Sequence, residues 1–178
     1  MKIVILTGSP RTKGTSSLLV DRFTEGAARA GHEVFRFDAA FKEVKGCRGC
    51  YACIPGGECV WKDDMEDLYE PLLAADYVVF ATGLYYFGFP SHIKSVIDRF
   101  HSINDRLQGA DKKTILFATC ADTDKDVMRG LVATYEEIVK YEKWKDTARL
   151  VVYGVGERAD IEKTDYPEKA YRLGQNIE

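Results

Sequence analysis

The sequence has no long apolar run, no excess of basic residues and too few cysteines for a disulfide scaffold. Its 178 residues include 25 Lys and Arg against 28 Asp and Glu, a formal net charge of −3. Binding to nucleic acid or to an anionic membrane surface relies on clustered positive charge, so we expect neither partner. Uninterrupted apolar stretches are only a few residues long, far below the ~20 residues that span a bilayer.

The start of the chain and its cysteines point to a reducing compartment. The apolar run at residues 3–6 is shorter than the central region of a secretion signal and enters a Gly-Ser-Pro turn. We therefore expect a cytoplasmic protein, whose thiols stay reduced. Four of the five cysteines fall within thirteen residues. In that setting such a cluster indicates metal or redox chemistry rather than structural disulfides.

Short β-branched runs alternate with longer segments of helical period, the pattern of βαβ units and a parallel sheet. The pattern predicts helices between strands that cover residues 2–7, 33–37, 76–82, 113–119 and 148–155. One of these helices is predicted to begin at Asp63 and to end at about Ala75, with acidic residues in its first turn. The length is that of one ordinary domain. We therefore predict one α/β domain over residues 1–178, a doubly wound three-layer sandwich around a five-stranded parallel sheet. A long loop at about 39–62 carries the four cysteines and Pro55.

The loop after the first strand brings hydroxyl groups and an arginine to the start of a helix. It reads GSPRTKGTSS over residues 8–17. Free backbone N–H groups, the positive end of the helix dipole and Arg11 suit a phosphate dianion. The glycines are too far apart for a Walker A loop, and Pro10 replaces the second glycine of a dinucleotide fingerprint. A terminal phosphomonoester, as on FMN, fits better; the alternative is a solvated turn in which Thr15 or Ser16 only caps the helix.

The loop after the third strand places aromatic rings between glycines at the same edge of the sheet. It reads TGLYYFGFP over residues 82–90. Glycines let backbone polar groups approach the edge of a flat ring system, and an aromatic side chain can cover its face. The segment therefore suits an isoalloxazine ring. Each aromatic residue taken alone is equally consistent with packing onto the core or a subunit interface.

Three segments together resemble the NADPH-dependent FMN reductase and iron-sulfur flavoprotein family. They are the GSPR loop at 8–11, the segment from Gly57 to Met65 and the segment from Leu84 to Phe100. The resemblance implies a flavodoxin-like fold, bound FMN and reduction of a small acceptor by NAD(P)H, in a homodimer or homotetramer that shares the flavin edge. It assigns cofactor contacts to Ser9, Arg11, Thr15, Ser16 and Ser17 in the phosphate loop and to Gly83, Leu84, Tyr85, Tyr86, Phe87 and Gly88 in the ring loop.

The cysteine loop has the spacing Cys47-x2-Cys50-x2-Cys53-x5-Cys59. This spacing is similar to that of iron-sulfur flavoproteins with a 4Fe-4S cluster, and four thiolates on one short loop can wrap such a cluster. Two alternatives stay open: free or redox-active thiols, and a zinc site, the weaker one because zinc ligands usually form two separated pairs. Cys120 is either a flavin contact, as the resemblance suggests, or a small buried hydrophobe.

The first hypothesis is an FMN-dependent NAD(P)H oxidoreductase of the flavin, quinone or nitroaromatic reductase type. The flavin would carry the chemistry, so we assign no catalytic side chain. Histidines are scattered, and Asp98 and Arg99 are expected to form helix-surface or structural pairs. The alternative is an iron-sulfur flavoprotein that moves single electrons between ferredoxin and FMN through the four cysteines. A third hypothesis is a redox-responsive FMN-binding module without turnover.

Overall fold

Five parallel strands form one sheet in the order β2-β1-β3-β4-β5. The computed structural model describes residues 1–54 and 56–178; Pro55, which the sequence places in the cysteine loop, lies outside the described residues. The strands are β1 (Lys2–Thr7), β2 (Glu33–Asp38), β3 (Tyr77–Gly83), β4 (Lys113–Thr119) and β5 (Lys145–Val152). This is the flavodoxin-like strand order, so the predicted fold class is confirmed.

Helices cover both faces of the sheet. They are α1 (Thr15–Arg29), α2 (Glu66–Ala74), α3 (Ser91–Asp98), α4 (Asn104–Leu107), α5 (Arg129–Glu142), α6 (Arg158–Ile161) and α7 (Tyr166–Gln175). Alternate side chains of each strand point to opposite faces. Val4 and Leu6 accordingly pack with α2, α3, α4 and α5, whereas Ile3 and Ile5 pack with α1, α6 and α7. Burial on both faces explains why the three central strands, β1, β3 and β4, are almost continuously apolar.

The boundaries differ from the predicted ones at two places that matter for the site. Strand β5 begins at Lys145, three residues before the predicted start, and ends at Val152. It is an edge strand paired only with β4, where charged residues are tolerated and the apolar pattern is lost. Helix α2 begins at Glu66 rather than at Asp63, because the Asp63 and Asp64 carboxylates accept hydrogen bonds from backbone N–H groups of the preceding loop.

Helices α1 and α7 approach so closely that two glycines are required. A Cβ on Gly26 would overlap the carbonyl oxygen of Tyr171, and a Cβ on Gly174 would overlap that of Phe23. No helix in the described part of the chain has both the length and the apolar character that crossing a bilayer requires.

We expect Gly26→Ala to lower the free energy of unfolding by about 2 kcal/mol, because the two helices must move apart. Alanine is intrinsically the better helix former by ~1 kcal/mol, so a stabilised variant would show that the close approach is wrong. Urea denaturation measures the change. Gly46→Ala is the control, since the nearest atom to its new Cβ would be the Ser95 hydroxyl at 3.9 Å.

Candidate functional site

The loops that follow β1, β3, β4 and β5 surround a cavity of about 180 Å³, called here the strand-end cavity. Ligands of doubly wound sheets bind at this carboxyl edge, where the strand order reverses. Most of the cofactor residues predicted from the sequence line it, namely Ser9, Arg11, Thr15, Ser16, Gly83, Leu84 and Tyr85. The structure therefore brings the two predicted loops together in one place.

The predicted residues outside the lining support it from behind or from the rim. The Ser17 hydroxyl donates to the Arg11 carbonyl at 2.9 Å. Gly88 and Tyr85 donate to each other's carbonyl groups at 3.0 and 3.1 Å, which closes a tight turn with Tyr86 and Phe87 at its tip.

The start of α1 is built to receive an anion. Its N-cap is Gly14, which has no side chain to cap the helix, and the first turn holds no acidic residue. Backbone N–H groups at a helix start have no partner within the helix and attract negative charge. Two bonds hold the loop in place: Arg11 N–H donates to the Ser9 hydroxyl at 3.2 Å, and Gly14 N–H donates to the Arg11 carbonyl at 2.9 Å. Ser16, buried in the first turn, lines the cavity.

The Arg11 side chain spans the mouth of the cavity. Its guanidinium contacts the Glu157 carboxylate at 2.6 Å and donates to the Gly156 carbonyl at 3.2 Å. Both partners follow β5, from the far end of the sequence. Because this ion pair is half exposed, it is weak, and an incoming phosphate can compete with Glu157 for the guanidinium.

Sequence reasoning missed the contribution of the last strand. Val155 and Gly156 line the strand-end cavity, but the predicted fifth strand ran as far as Val155, and Gly156 was not predicted as a site residue. A signal was present in Gly154-Val155-Gly156, a Gly-x-Gly run at a strand end. On the neighbouring strand, Thr119 also lines the cavity, and its hydroxyl lies 2.8 Å from that of Thr15, which ties β4 to the start of α1.

The tip of the ring loop is strained and exposed. Tyr86 and Phe87 have φ angles of 43° and 64°, a left-handed conformation that costs a non-glycine residue ~1 kcal/mol or more. Tyr86 is fully exposed and Phe87 is 62% exposed. Strain of this kind concentrates at functional sites. The turn presents two flat rings at the rim of the cavity, where neither contributes to the core.

The four clustered cysteines line a second cavity together with Trp61 and Arg99, called here the cysteine cavity. All four are free thiols. A hydrogen bond from the Ala52 backbone, followed by the proximity of Arg48, lowers the pKa of Cys50, whereas burial raises the pKa of Cys53. In the part of the chain that the structure describes, no group of three or more His, Cys, Asp or Glu side chains is already arranged to hold a metal ion.

The fifth cysteine lies apart from this group. Cys120 is buried, lines the strand-end cavity and lies with its Sγ 3.3 Å from the Asp122 carbonyl. Burial raises the pKa of this thiol. Its position is therefore compatible with both interpretations drawn from the sequence.

The chain is similar to known proteins in sequence and in fold. A family model described as NADPH-dependent FMN reductase matches residues 1–132. An iron-sulfur flavoprotein of Archaeoglobus fulgidus is 35% identical over 99 residues, which are 56% of this chain and 45% of that protein. The chain spans about half the length of the iron-sulfur flavoproteins it matches.

Two solved structures share the fold along nearly the whole chain. An NAD(P)H:quinone oxidoreductase from Methanothermobacter marburgensis has a TM-score of 0.78 at 19% identity, with 99% of this chain and 95% of that chain covered. An FMN-dependent NADH-azoreductase from Bacillus anthracis, in complex with FMN, has a TM-score of 0.71 at 14% identity, with 98% and 100% covered. At these identities the likeness concerns the fold alone.

Proposed function

Because the chain belongs to the NADPH-dependent FMN reductase family, we propose that it binds FMN in the strand-end cavity and acts as an NAD(P)H-dependent oxidoreductase. The observation that supports this most is the meeting of the uncapped start of α1 with the Gly83–Gly88 loop at one cavity. A phosphate site beside a glycine- and aromatic-rich loop matches the two ends of FMN.

The residues divide the work of holding the cofactor. The first turn of α1, with Ser16 and the guanidinium of Arg11, would hold the phosphate. The backbone at Gly83 and the ring of Tyr85 would bound the isoalloxazine. When bound, FMN supplies hydride and single-electron chemistry. The bond between Thr15 and Thr119 keeps the two sides of the cavity at a fixed separation.

We place the electron acceptor among small flat molecules: quinones, nitroaromatics or free flavins. The exposed rings of Tyr86 and Phe87 at the rim offer surfaces on which such a molecule can stack. The same two rings also support the proposal of a homodimer or homotetramer, because a second copy would cover exposed aromatic surface beside the cofactor.

Flavin binding and turnover test the proposal separately. We expect the purified chain to bind FMN stoichiometrically and to oxidise NADH or NADPH in the presence of one of these acceptors. A chain that binds no FMN would contradict the proposed site. A chain that binds FMN but oxidises no nicotinamide with any acceptor would instead be a redox-responsive binding module.

A second candidate function is that of an iron-sulfur flavoprotein, which the convergence of four cysteines on one cavity favours. Cys47, Cys50, Cys53 and Cys59 would hold a 4Fe-4S cluster, whose usual ligand set is four thiolates. The cluster would allow single-electron exchange with a partner such as ferredoxin. Iron and sulfide analysis of an anaerobic preparation decides between this function and free thiols, since an iron-free chain that resists reconstitution would exclude the cluster.

A further inference from the structure

Arg99 is buried at the end of α3, outside the strand-end cavity, and the proposed flavin chemistry does not use it. Its side chain is 1% exposed and is among the largest fully buried side chains of the molecule. A guanidinium is buried only where it has charged or hydrogen-bonding partners. Asp98, its neighbour in sequence, forms an ion pair with Lys94 on the helix surface. Of the two residues expected to form surface or structural pairs, Asp98 therefore forms a surface pair and Arg99 a buried one with Asp63.

The partners of Arg99 lie on both sides of the four cysteines. Its Nη1 donates to the Lys45 carbonyl at 3.0 Å and to Asp63 Oδ2 at 2.9 Å. Its Nη2 donates to the Trp61 carbonyl at 3.4 Å and to the Tyr69 hydroxyl at 3.2 Å. One rigid, planar group therefore fixes both ends of the segment between Lys45 and Trp61, which carries Cys47 to Cys59.

Asp63 completes this arrangement. Its side chain is 3% exposed, and besides Arg99 it accepts the Lys45 N–H at 3.0 Å. The Trp61 indole donates to the Gly46 carbonyl at 3.2 Å, which brings the two ends of the segment together a second time. Closing a flexible loop costs conformational entropy. Because these bonds already hold the segment closed in the folded chain, a ligand that binds there does not have to offset this entropy loss.

The remaining nitrogen of Arg99, Nε, has no hydrogen-bond partner in the part of the chain that the structure describes. Arg99 lines the cysteine cavity, and its Nε is buried without a hydrogen-bond acceptor among the described residues. A buried donor that lacks an acceptor is costly. A thiolate or an inorganic sulfide held in the same cavity would supply one.

We propose that Arg99 is the positioning residue of the cysteine cavity: it fixes both ends of the cysteine segment so that the four thiols converge on a thiophilic metal centre, and its Nε–H donates to a sulfur atom of that centre. This inference rests on the second candidate function, the iron-sulfur flavoprotein. It assigns no contact between Arg99 and FMN.

The test compares Arg99→Lys with Arg106→Lys. Lysine keeps the positive charge of Arg99 but cannot reach four acceptors in one plane, whereas Arg106 is exposed and forms an ion pair with Glu70 at 3.7 Å. The probe is Co²⁺, added anaerobically to the reduced chain and followed by thiolate-to-cobalt absorbance. We expect Arg99→Lys to weaken Co²⁺ binding at least tenfold, with Arg106→Lys unchanged and FMN binding retained in both.

Wild-type affinity in Arg99→Lys would overturn the proposal. A wild-type chain that binds Co²⁺ through thiolates but assembles no iron-sulfur cluster would exclude the second candidate function, while the cobalt comparison still judges Arg99. A wild-type chain that binds neither Co²⁺ nor an iron-sulfur cluster would overturn both the second candidate function and the proposed role of Arg99. If Arg99→Lys does not fold, Tyr69→Phe removes one acceptor of the guanidinium, and an unchanged Co²⁺ affinity there would count against the proposal.

A redox measurement separates the Nε–H bond from a merely structural role. Hydrogen bonds to sulfur stabilise the reduced form of a cluster, which carries more negative charge, and so raise its midpoint potential. In the fraction of Arg99→Lys that retains a cluster, we therefore expect a more negative midpoint potential than in the wild type. An equal potential would contradict the donation from Nε.

Discussion

Ser16→Asp is expected to lower the affinity for FMN at least about 100-fold while the fold is preserved. Ser16 is 4% exposed in the first turn of α1 and lines the strand-end cavity. A carboxylate there would accept hydrogen bonds from the free N–H groups of the turn and repel the phosphate. Two charges ~4 Å apart interact by ~4 kcal/mol near a protein surface, and each 1.4 kcal/mol is tenfold in affinity.

The same substitution is favourable for the helix itself. An acidic residue in a first turn stabilises a helix by ~0.3–1 kcal/mol through the dipole, and α1 has none there. Thermal stability should therefore be unchanged or higher while cofactor affinity falls. Binding and folding move in opposite directions, which a general disruption of the site would not produce.

Titration of the flavin fluorescence with the cofactor-free chain measures the effect. Ala28→Asp adds the same charge at an exposed position near the other end of α1 and should leave the affinity nearly unchanged. Riboflavin, which lacks the phosphate, should bind Ser16→Asp and the wild type alike. If FMN binds the variant as well as the wild type, the phosphate does not lie at the start of α1.

The sheet could be predicted from the sequence where its signals are local. Strands β1 and β4 have the predicted bounds, Lys2–Thr7 and Lys113–Thr119, because each is a short, largely apolar run. Strand β5 was displaced in the prediction because it begins with Lys145, Asp146 and Thr147. What makes these polar residues a strand is their pairing with β4, which no local pattern reveals.

The site follows the same division. The loops after β1 and β3 can be recognised from the hydroxyls, glycines and aromatic residues that each holds within ten positions. They meet at one cavity as predicted. The ion pair between Arg11 and Glu157 joins residues 146 apart in sequence. Arg99, at the end of α3, donates to the Lys45 carbonyl at the start of the cysteine segment. Such partners are chosen by the topology, so the sequence indicated the residue types but not their pairing.

Glu142 makes the stability of the fold depend on pH around neutrality. It is the last residue of α5, its side chain is 3% exposed, and its Oε2 has no hydrogen-bond partner among the described residues. Burial raises the pKa of this carboxyl to about 7 from an ordinary value of 4.5. The negative end of the α5 dipole also disfavours a negative charge at this position.

The sign of the effect follows from the raised pKa. Between pH 4.5 and 7 the folded chain holds a proton that the unfolded chain has released, so stability is lost as the pH rises through this range. Below it both states are protonated and the penalty is absent. Above it the penalty is complete, and the difference in pKa corresponds to about 3 kcal/mol.

We therefore expect the free energy of unfolding of Glu142→Gln, relative to that of the wild type, to rise by about 3 kcal/mol from pH 4.5 to pH 8. Glutamine keeps the shape of the protonated side chain, so any constant cost of the amide cancels in the comparison of the two pH values. Lys94, Asp98, His101 and Glu137 line the same groove between α3 and α5, but they are identical in both proteins and their contributions cancel as well.

Urea denaturation at a series of pH values measures this difference. Glu137→Gln is the control, because Glu137 lies on the same helix with a side chain that is 73% exposed and forms an ion pair with Lys140 at 3.5 Å. Exposed pairs of this kind contribute ~0–1 kcal/mol, so its curve should run parallel to that of the wild type. If the curves of Glu142→Gln and the wild type also run parallel from pH 4.5 to 8, the Glu142 carboxyl is solvated in the folded chain and does not hold a proton at neutral pH.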